Sequence, residues 1–311
     1  MTPTIIFMGT PDFAMPALQA LHQAGFPIPL VVTQPDRPKG RGKNVQPPPV
    51  KALALSLGLP VIQPMTAKES DFIQRLEEHT PDFLVVVAFG QLLPKAVLEI
   101  PKYGAINIHP SLLPKYRGPA PIQHSIINGD RLTGVTTILL DEGMDSGEIL
   151  LSESAPIGLD DTSESLHQTL AHKGALLLLQ SIEGLLHGTI QPFAQNHDER
   201  SYAPRFKKED GRIRWQDPAE KIDRFVRGIH PWPGAFTDID SKRHKIFRVS
   251  PISCQTNAPP GTLIKADRNS LVVQAGENAV SIIEIQGPSG KRLPITEFLK
   301  GHPISPGAVL S

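Results

Sequence analysis

The sequence predicts an α/β fold: a mostly parallel sheet with helices on both faces, followed by a small β-barrel. Three observations carry this. Short apolar runs alternate with amphipathic stretches over the first ninety residues, the βαβ rhythm of strands buried on both faces. Between residues 189 and 208 that periodicity disappears, and polar residues with Pro192 and Pro204 read as a linker. Beyond it come short strand-like runs separated by turn signals, the pattern of a small barrel. A chain of 311 residues suits this division, at about 100 to 200 residues per domain. The expected limits are 1–189, a linker 190–208 and 209–311.

The elements follow in order. Thr4 to Met8 (TIIFM) is a buried-strand pattern, and Phe13 to Ala24 places apolar residues at Phe13, Ala17, Leu18 and Leu21, one face of a helix. Strand signals recur at Pro29 to Thr33, Leu59 to Ile62, Phe83 to Ala88 and Ala105 to Ile108, with helical stretches at Val50 to Leu57 and Ala67 to Glu78. A short helix is expected over Ile122 to Asn128, then an antiparallel pair, Gly134 to Leu140 and Glu148 to Ser154, around an acidic loop. Thr162 to His187 reads as a long helix with Thr162 or Ser163 as N-cap and Gly188 just past its end. In the second part, Ala219 to Gly228 has helical spacing. Strands are expected at Ala235 to Ile239, His244 to Val249, Gly261 to Lys265, Ser270 to Gln274 and Val280 to Gln286.

Composition narrows the function. With 40% apolar residues and balanced charges, 31 basic against 31 acidic, the chain is no disordered tail. The balance hides an asymmetry: residues 1–190 carry 13 basic and 18 acidic side chains, and residues 191–311 carry 18 and 13. A single cysteine, Cys254, excludes an internal disulfide and a cysteine-rich metal site. The longest apolar run, Phe83 to Phe89, falls far short of the roughly 20 residues a membrane span needs, and no signal-peptide pattern opens the chain. A cytoplasmic protein is expected. GTPDF near the start lacks the spacing of a dinucleotide or ATP loop.

Three features could carry chemistry. Asn107 and His109 stand two apart at a strand end, so both side chains point to one side, followed by a loop stiffened by Pro110 and Pro114. An acidic loop holding Asp141, Glu142 and Asp145 could reach the same rim. A carboxylate beside a histidine orients the ring and raises its basicity, and an amide can donate to an oxygen gaining negative charge. That set suits acyl transfer to an amine, and the spacing leaves the three acids open as partners of His109. The third feature is the stretch from Gln34 to Lys43, within a loop of about fifteen residues, a length usually functional or disordered. Arg37, Lys39, Arg41 and Lys43, interleaved with glycines, fit either a phosphate backbone or a solvated loop.

Taken together, INIH before SLLPKYRGPAPIQ, IIFMGTPDFA near the start and QPDRPKGRGK in the long loop closely resemble the formyltetrahydrofolate-dependent formyltransferases, and among them the branch acting on methionyl-tRNA. The resemblance spans the chain, more loosely in the second part, at Ile229 to Gly234 and Ala258 to Ile264. It implies a Rossmann-like first domain binding 10-formyltetrahydrofolate, and an OB-like second domain that helps hold tRNA. It implies Asn107, His109 and Asp145 as catalytic residues, and Ser111, Leu112, Leu113 and Pro114 against the folate. Arg37, Lys39, Arg41 and Lys43 would contact the tRNA. The acceptor would be the α-amino group of methionine on charged initiator tRNA. His109 and Asp145 would take or relay the amine proton, and Asn107 with the imidazole would stabilise the oxyanion. No metal, no membrane and a monomeric state are expected.

Two other readings stay in view: formylation of a different amine, and an RNA-binding module without turnover. Arg41→Ala is expected to raise the KM for tRNA several-fold while leaving the KM for the folate within about twofold, because an arginine that grips the acceptor end acts on that substrate alone. Steady-state kinetics with each substrate varied would check it, and equal loss of both would remove the positioning role.

Overall fold

A computed structural model describes residues 2–39, 44–254, 256–288 and 290–311. By its internal contacts the chain forms two compact units. The first comprises Met1–Gly118, Thr133–Pro156 and His167–Ala203; the second comprises Pro119–Leu132, Ile157–Leu166 and Pro204–Ser311.

The first unit is built on a seven-stranded sheet. Its strands and helices run β1 (Ile5–Gly9), α1 (Met15–Gln23), β2 (Leu30–Val32), β3 (Arg37–Lys39), β4 (Asn44–Gln46), α2 (Pro49–Ser56), β5 (Val61–Ile62), α3 (Ser70–Glu78), β6 (Phe83–Val87), α4 (Lys95–Leu98) and β7 (Ala105–His109). After α5 (Pro121–Asn128), which belongs to the second unit, come β8 (Leu132–Leu139), β9 (Ile149–Pro156) and α6 (Ser163–His187). The sheet order is β5-β2-β1-β6-β7-β8-β9. β2 and β6 flank β1 in parallel, β5 continues beyond β2 and β7 beyond β6, while β8 is antiparallel to β7. β1, β6 and β7 are buried along their whole length, as strands covered on both faces must be. The order reverses between β1 and β6, which opens a crevice at their carboxyl ends. Thr10 partly bridges that crevice by donating its hydroxyl to the Phe89 carbonyl at 2.9 Å.

The expected cap of the long helix is Thr162: its hydroxyl accepts from the Ser165 amide, and the Ser165 hydroxyl accepts from the Thr162 amide in return. Two short elements escape the sequence pattern. α4 is a single turn burying only Val97, too short to display a period. The long loop after β2 is not structureless, because Arg37 to Lys39 pair with Asn44 to Gln46 as a two-stranded ladder. Arg41 and Lys43 lie outside the described residues.

In the second unit α7 (Ala219–Gly228) precedes β10 (Ala235–Ile239), β11 (Lys242–Ile252), β12 (Leu263–Ala266), β13 (Leu271–Gln274), β14 (Ala279–Gln286), β15 (Arg292–Pro294) and α8 (Ile295–Gly301). The strands form one antiparallel curled sheet in the order β10-β11-β14-β13-β12, with β15 on the far half of β14. It is half a barrel. Residues 307–311 span its open side: the Leu263 and Leu310 amides donate to the Ala308 and Gly261 carbonyls, and Ser311 pairs reciprocally with Asp238 on β10. The core holds Trp215, Ile222, Val226, Ile246, Ile282 and Phe298, and α8 adds Ile295. The Trp215 indole donates to Thr237 at 3.0 Å, which satisfies its one polar atom.

Leu310 is the side chain by which the spanning segment enters this core. Leu310→Ala is therefore expected to cost about 2 kcal/mol, the low end for a buried leucine, since a segment near its chain end can relax around the gap. Thermal denaturation would show it, and an unchanged midpoint would mean the sheet curls without this clasp.

Candidate active site

β7 delivers both residues of the Asn-x-His pair. Its parallel register sets Asn107 beside Val86 of β6, and its antiparallel register sets His109 opposite Thr136 of β8. The period of two puts the two side chains on one face at the carboxyl end of the sheet. His109 is only 4% exposed.

The His109 ring is oriented from one side. Its Nε2 lies 2.9 Å from the Tyr116 carbonyl. A carbonyl can only accept, so in the neutral ring Nε2 carries the proton and Nδ1 presents a lone pair. Nδ1 faces the Asp145 carboxylate, with Oδ2 at 3.6 Å, beyond hydrogen-bond length. Of the three acids left open by spacing, geometry separates the roles. Asp141 is occupied with the loop itself, accepting from the Gly143 amide and the Ser146 hydroxyl. Glu142 is exposed. Asp145 alone is brought to His109, and its Oδ2 also accepts from the Gly118 amide at 2.7 Å. The backbone is bent to do this: Asp145 sits at φ +50°, a region non-glycine residues seldom adopt. Two residues on, Gly147 has no room for a side chain, since a Cβ would lie 1.7 Å from the Leu139 carbonyl oxygen.

Asn107 and Asp145 share a cavity of about 150 Å³. Its other walls come from the loops after β6 and β8, chiefly Val86, Phe89, Leu93 and Leu140. Leu92 and Met144, both well exposed, stand among its lining residues. Gln91 ties the first of these loops down by accepting from the Ala67 amide and donating to the Met65 carbonyl. Sequence reasoning missed this wall. The signal was the apolar run VVVAFGQLL, which continues past the strand end into a loop. A larger hollow of about 580 Å³, lined by Glu77, Asp82, Glu99 and Lys102, lies at the amino ends of β6 and β7, away from His109.

Ser111 to Pro114 are placed beside the site but turned largely inward. The Ser111 hydroxyl donates to the Lys115 carbonyl, and the Ser111 carbonyl and Leu113 amide both engage the Thr136 hydroxyl, which pins this loop to β8. Leu113 packs with Ile138 and Ile149. Leu112 and Pro114 are half-buried and keep surface to offer a ligand. Arg37 is exposed on the β3–β4 ladder, its guanidinium 3.4 Å from the Gln34 side-chain oxygen. Among the described residues, no three His, Cys, Asp or Glu converge as a metal site would require. No described helix is long and apolar enough to cross a membrane.

A Rossmann-type sheet thus gathers an imidazole, a carboxylate and an amide at its carboxyl edge, groups able to exchange protons and to donate and accept hydrogen bonds. The chain belongs to the formyl transferase family. The profile of that family, Formyl transferase, matches residues 3–182, and that of its C-terminal domain matches residues 205–303. Methionyl-tRNA formyltransferase of Citrifermentans bemidjiense is 46% identical, covering 98% of this chain and 96% of its own length. The protein of that name from Thermodesulfovibrio yellowstonii is 47% identical, covering 99% and 98%. Among solved structures, a HypX of Aquifex aeolicus in complex with tetrahydrofolic acid aligns with TM-score 0.66 at 18% identity. That alignment covers all of this chain and 51% of the HypX chain. WlaRD, a sugar 3N-formyl transferase crystallised with dTDP and 5-N-formyl-THF, aligns with TM-score 0.67 at 19% identity over 94% of this chain and all of its own. These two likenesses concern the fold.

The root of the cationic loop has its own electrostatics. Lys51 donates to both oxygens of Asp36 and to Gln63, and Gln63 donates to Asp36. The Lys51 hydrogen bond, followed by that of Gln63, holds the Asp36 carboxyl below its ordinary value. A carboxyl whose value is lowered by folding stabilises the fold above its unfolded value of about 3.9 and loses that contribution as pH falls through the lower folded value. The protection of residues 37–39 and 44–46 against hydrogen exchange, taken relative to the unstructured rate at each pH, is therefore expected to fall below pH about 4 in the wild type. In Lys51→Met that protection is expected to be lower at neutral pH and to depend less on acidification.

Proposed function

We propose that this protein transfers the formyl group of 10-formyltetrahydrofolate to the α-amino group of methionine on charged initiator tRNA, as a monomeric enzyme of the cytoplasm. The observation that carries the reading is the pairing of His109 Nδ1 with the Asp145 carboxylate across 3.6 Å, beside a small cavity that Asn107 also lines. Full-length kinship with methionyl-tRNA formyltransferases selects the acceptor.

The residues fit a folate. The cavity, about 150 Å³, is well below the roughly 300 Å³ at which pockets for whole drug-sized ligands begin, so it suits the flat ring end of the co-substrate, with the remainder outside. Val86, Phe89, Leu93 and Leu140 give it an apolar wall for a ring face, Gln91, Asn107 and the acidic loop give it polar groups, and Leu112 and Pro114 would flank the ligand nearer His109. When bound, the folate supplies an activated formyl group.

The chain supplies proton transfer and charge stabilisation. The attacking amine must be neutral, and an α-amino group with a reference pKa of about 8 is largely protonated at pH 7. Nδ1 and Oδ2, two acceptors facing one another, form a receptor for that proton, whichever atom takes it sharing the charge with the other; the proton the nitrogen sheds once bonded to the formyl carbon balances the one taken up by the tetrahydrofolate nitrogen as its bond to that carbon breaks. The Asn107 amide donates to the formyl oxygen as negative charge develops there. Each role is worth on the order of a hundredfold in rate. Arg37, Lys39, Arg41 and Lys43 would grip the acceptor end of the tRNA, and residues 209–311, with their basic excess, would hold its body.

The test is transfer of labelled formyl from 10-formyltetrahydrofolate to methionyl initiator tRNA, beside uncharged tRNA, methionyl elongator tRNA and free methionine. Labelling of the charged initiator alone is expected, with His109→Ala reduced at least a hundredfold. Labelling of another amine only would overturn the acceptor, and near-normal turnover by His109→Ala would overturn the role of the imidazole.

A further inference from the structure

Asp145 is held at its carboxylate by the Gly118 amide and at its carbonyl by one side chain far along the chain. Gln195 is 5% exposed and lies in the stretch the sequence marks as linker. Its Nε2 donates to the Asp145 carbonyl at 2.8 Å and to the Gly147 carbonyl at 2.7 Å. Its Oε1 accepts from Arg117 Nε at 3.0 Å and Nη2 at 2.6 Å. Arg117, 3% exposed, precedes Gly118, whose amide holds the Asp145 carboxylate. The hydrogen bonds thus close a ring, from the Asp145 carboxylate through Gly118, Arg117 and Gln195 back to the Asp145 carbonyl. Backbone bonds of Arg117 to Ser201 and Ala203 anchor the ring.

We infer that Gln195 is a positioning residue for the reaction, fixing the backbone of Asp145 so that its carboxylate faces His109. This rests on the reading of Asp145 as the acid partner of His109. A primary amide is the group this place requires. One end must donate to two carbonyls while the other accepts from a guanidinium, and of the neutral side chains only the amides do both. Both ends are saturated within the protein, so the side chain has no remaining donor for a substrate. A buried side chain that spends its donors on the carbonyl of a left-handed aspartate and on that of the glycine two residues on acts on that aspartate's geometry. Displacing a reacting group by about 1 Å costs on the order of a hundredfold in rate.

Two substitutions separate positioning from folding. Gln195→Glu keeps the acceptor for Arg117 and adds an ion pair, but points a second oxygen at the two carbonyls. Gln195→Met keeps the volume and removes both functions. Both are expected to lower kcat ten- to a hundredfold, with the KM for 10-formyltetrahydrofolate and for methionyl-tRNA within about threefold and an unfolding midpoint close to wild type for Gln195→Glu. The decisive comparison is with Asp145→Asn. If Gln195 acts through Asp145, Gln195→Met in the Asp145→Asn background lowers kcat by less than about twofold further, whereas independent damage to the fold multiplies the losses. Wild-type kcat in both single variants, or full multiplication in the double variant, would overturn the inference. Should Asp145→Asn itself retain wild-type kcat, the reading of the site fails first, and that outcome is distinct from failure of Gln195 alone.

Discussion

The hydrogen bond from the Gly118 amide to the Asp145 carboxylate, 2.7 Å long, joins the loop after β7 to the loop after β8. His109 finds an acid at its Nδ1 because of that bond and of Gln195, whose amide links Arg117 in the loop after β7 to the Asp145 and Gly147 carbonyls in the loop after β8. The carboxylate accepts from a backbone group, so its place is set by main-chain geometry and not by a flexible partner side chain. The remaining parts of the site arrange themselves around this contact: the Tyr116 carbonyl turns the imidazole, and Asp141 keeps the acidic loop folded from within.

The sheet explains why the site lies where it does. In an open parallel sheet the crevice is expected at the reversal of strand order, between β1 and β6. Here Thr10 reaches across to Phe89, and the cavity lies one strand along, between the loops following β6 and β8. The antiparallel β8 makes this possible. By reversing direction it runs away from the carboxyl end of β7, so its own carboxyl-end loop returns past Asn107 only after Leu139, bringing Leu140 to Asp145 over the apolar wall from β6. A further parallel strand would have required a crossover helix instead of a short acidic loop.

Much of the architecture was legible because burial leaves its period in the chain. FLVVV at Phe83 to Val87 reads as a doubly covered strand and is one; Ala219 to Gly228 has the same limits in sequence and structure. The illegible parts are those whose residues gain their partners from afar. Val97 is the lone buried residue of a one-turn helix, and β4 is exposed along its whole length, so neither carries a period. Residues 307–311 bond to Gly261, Leu263 and Asp238, partners that no local pattern names.

The candidate site divides in the same way. The sequence by itself determined that Asn107 and His109 share a side of a strand end, because alternation is a property of the backbone and needs no tertiary contact. It also placed an acidic loop within reach, without choosing among Asp141, Glu142 and Asp145. Only the tertiary structure made that choice, and only it drew Gln195 out of an apparent linker to bond the carbonyls of Asp145 and Gly147. The physical reason is that a hydrogen bond is satisfied by position in space, within about 3 Å and over a narrow range of angles, while spacing along a chain controls position only over the few residues that one element holds rigid.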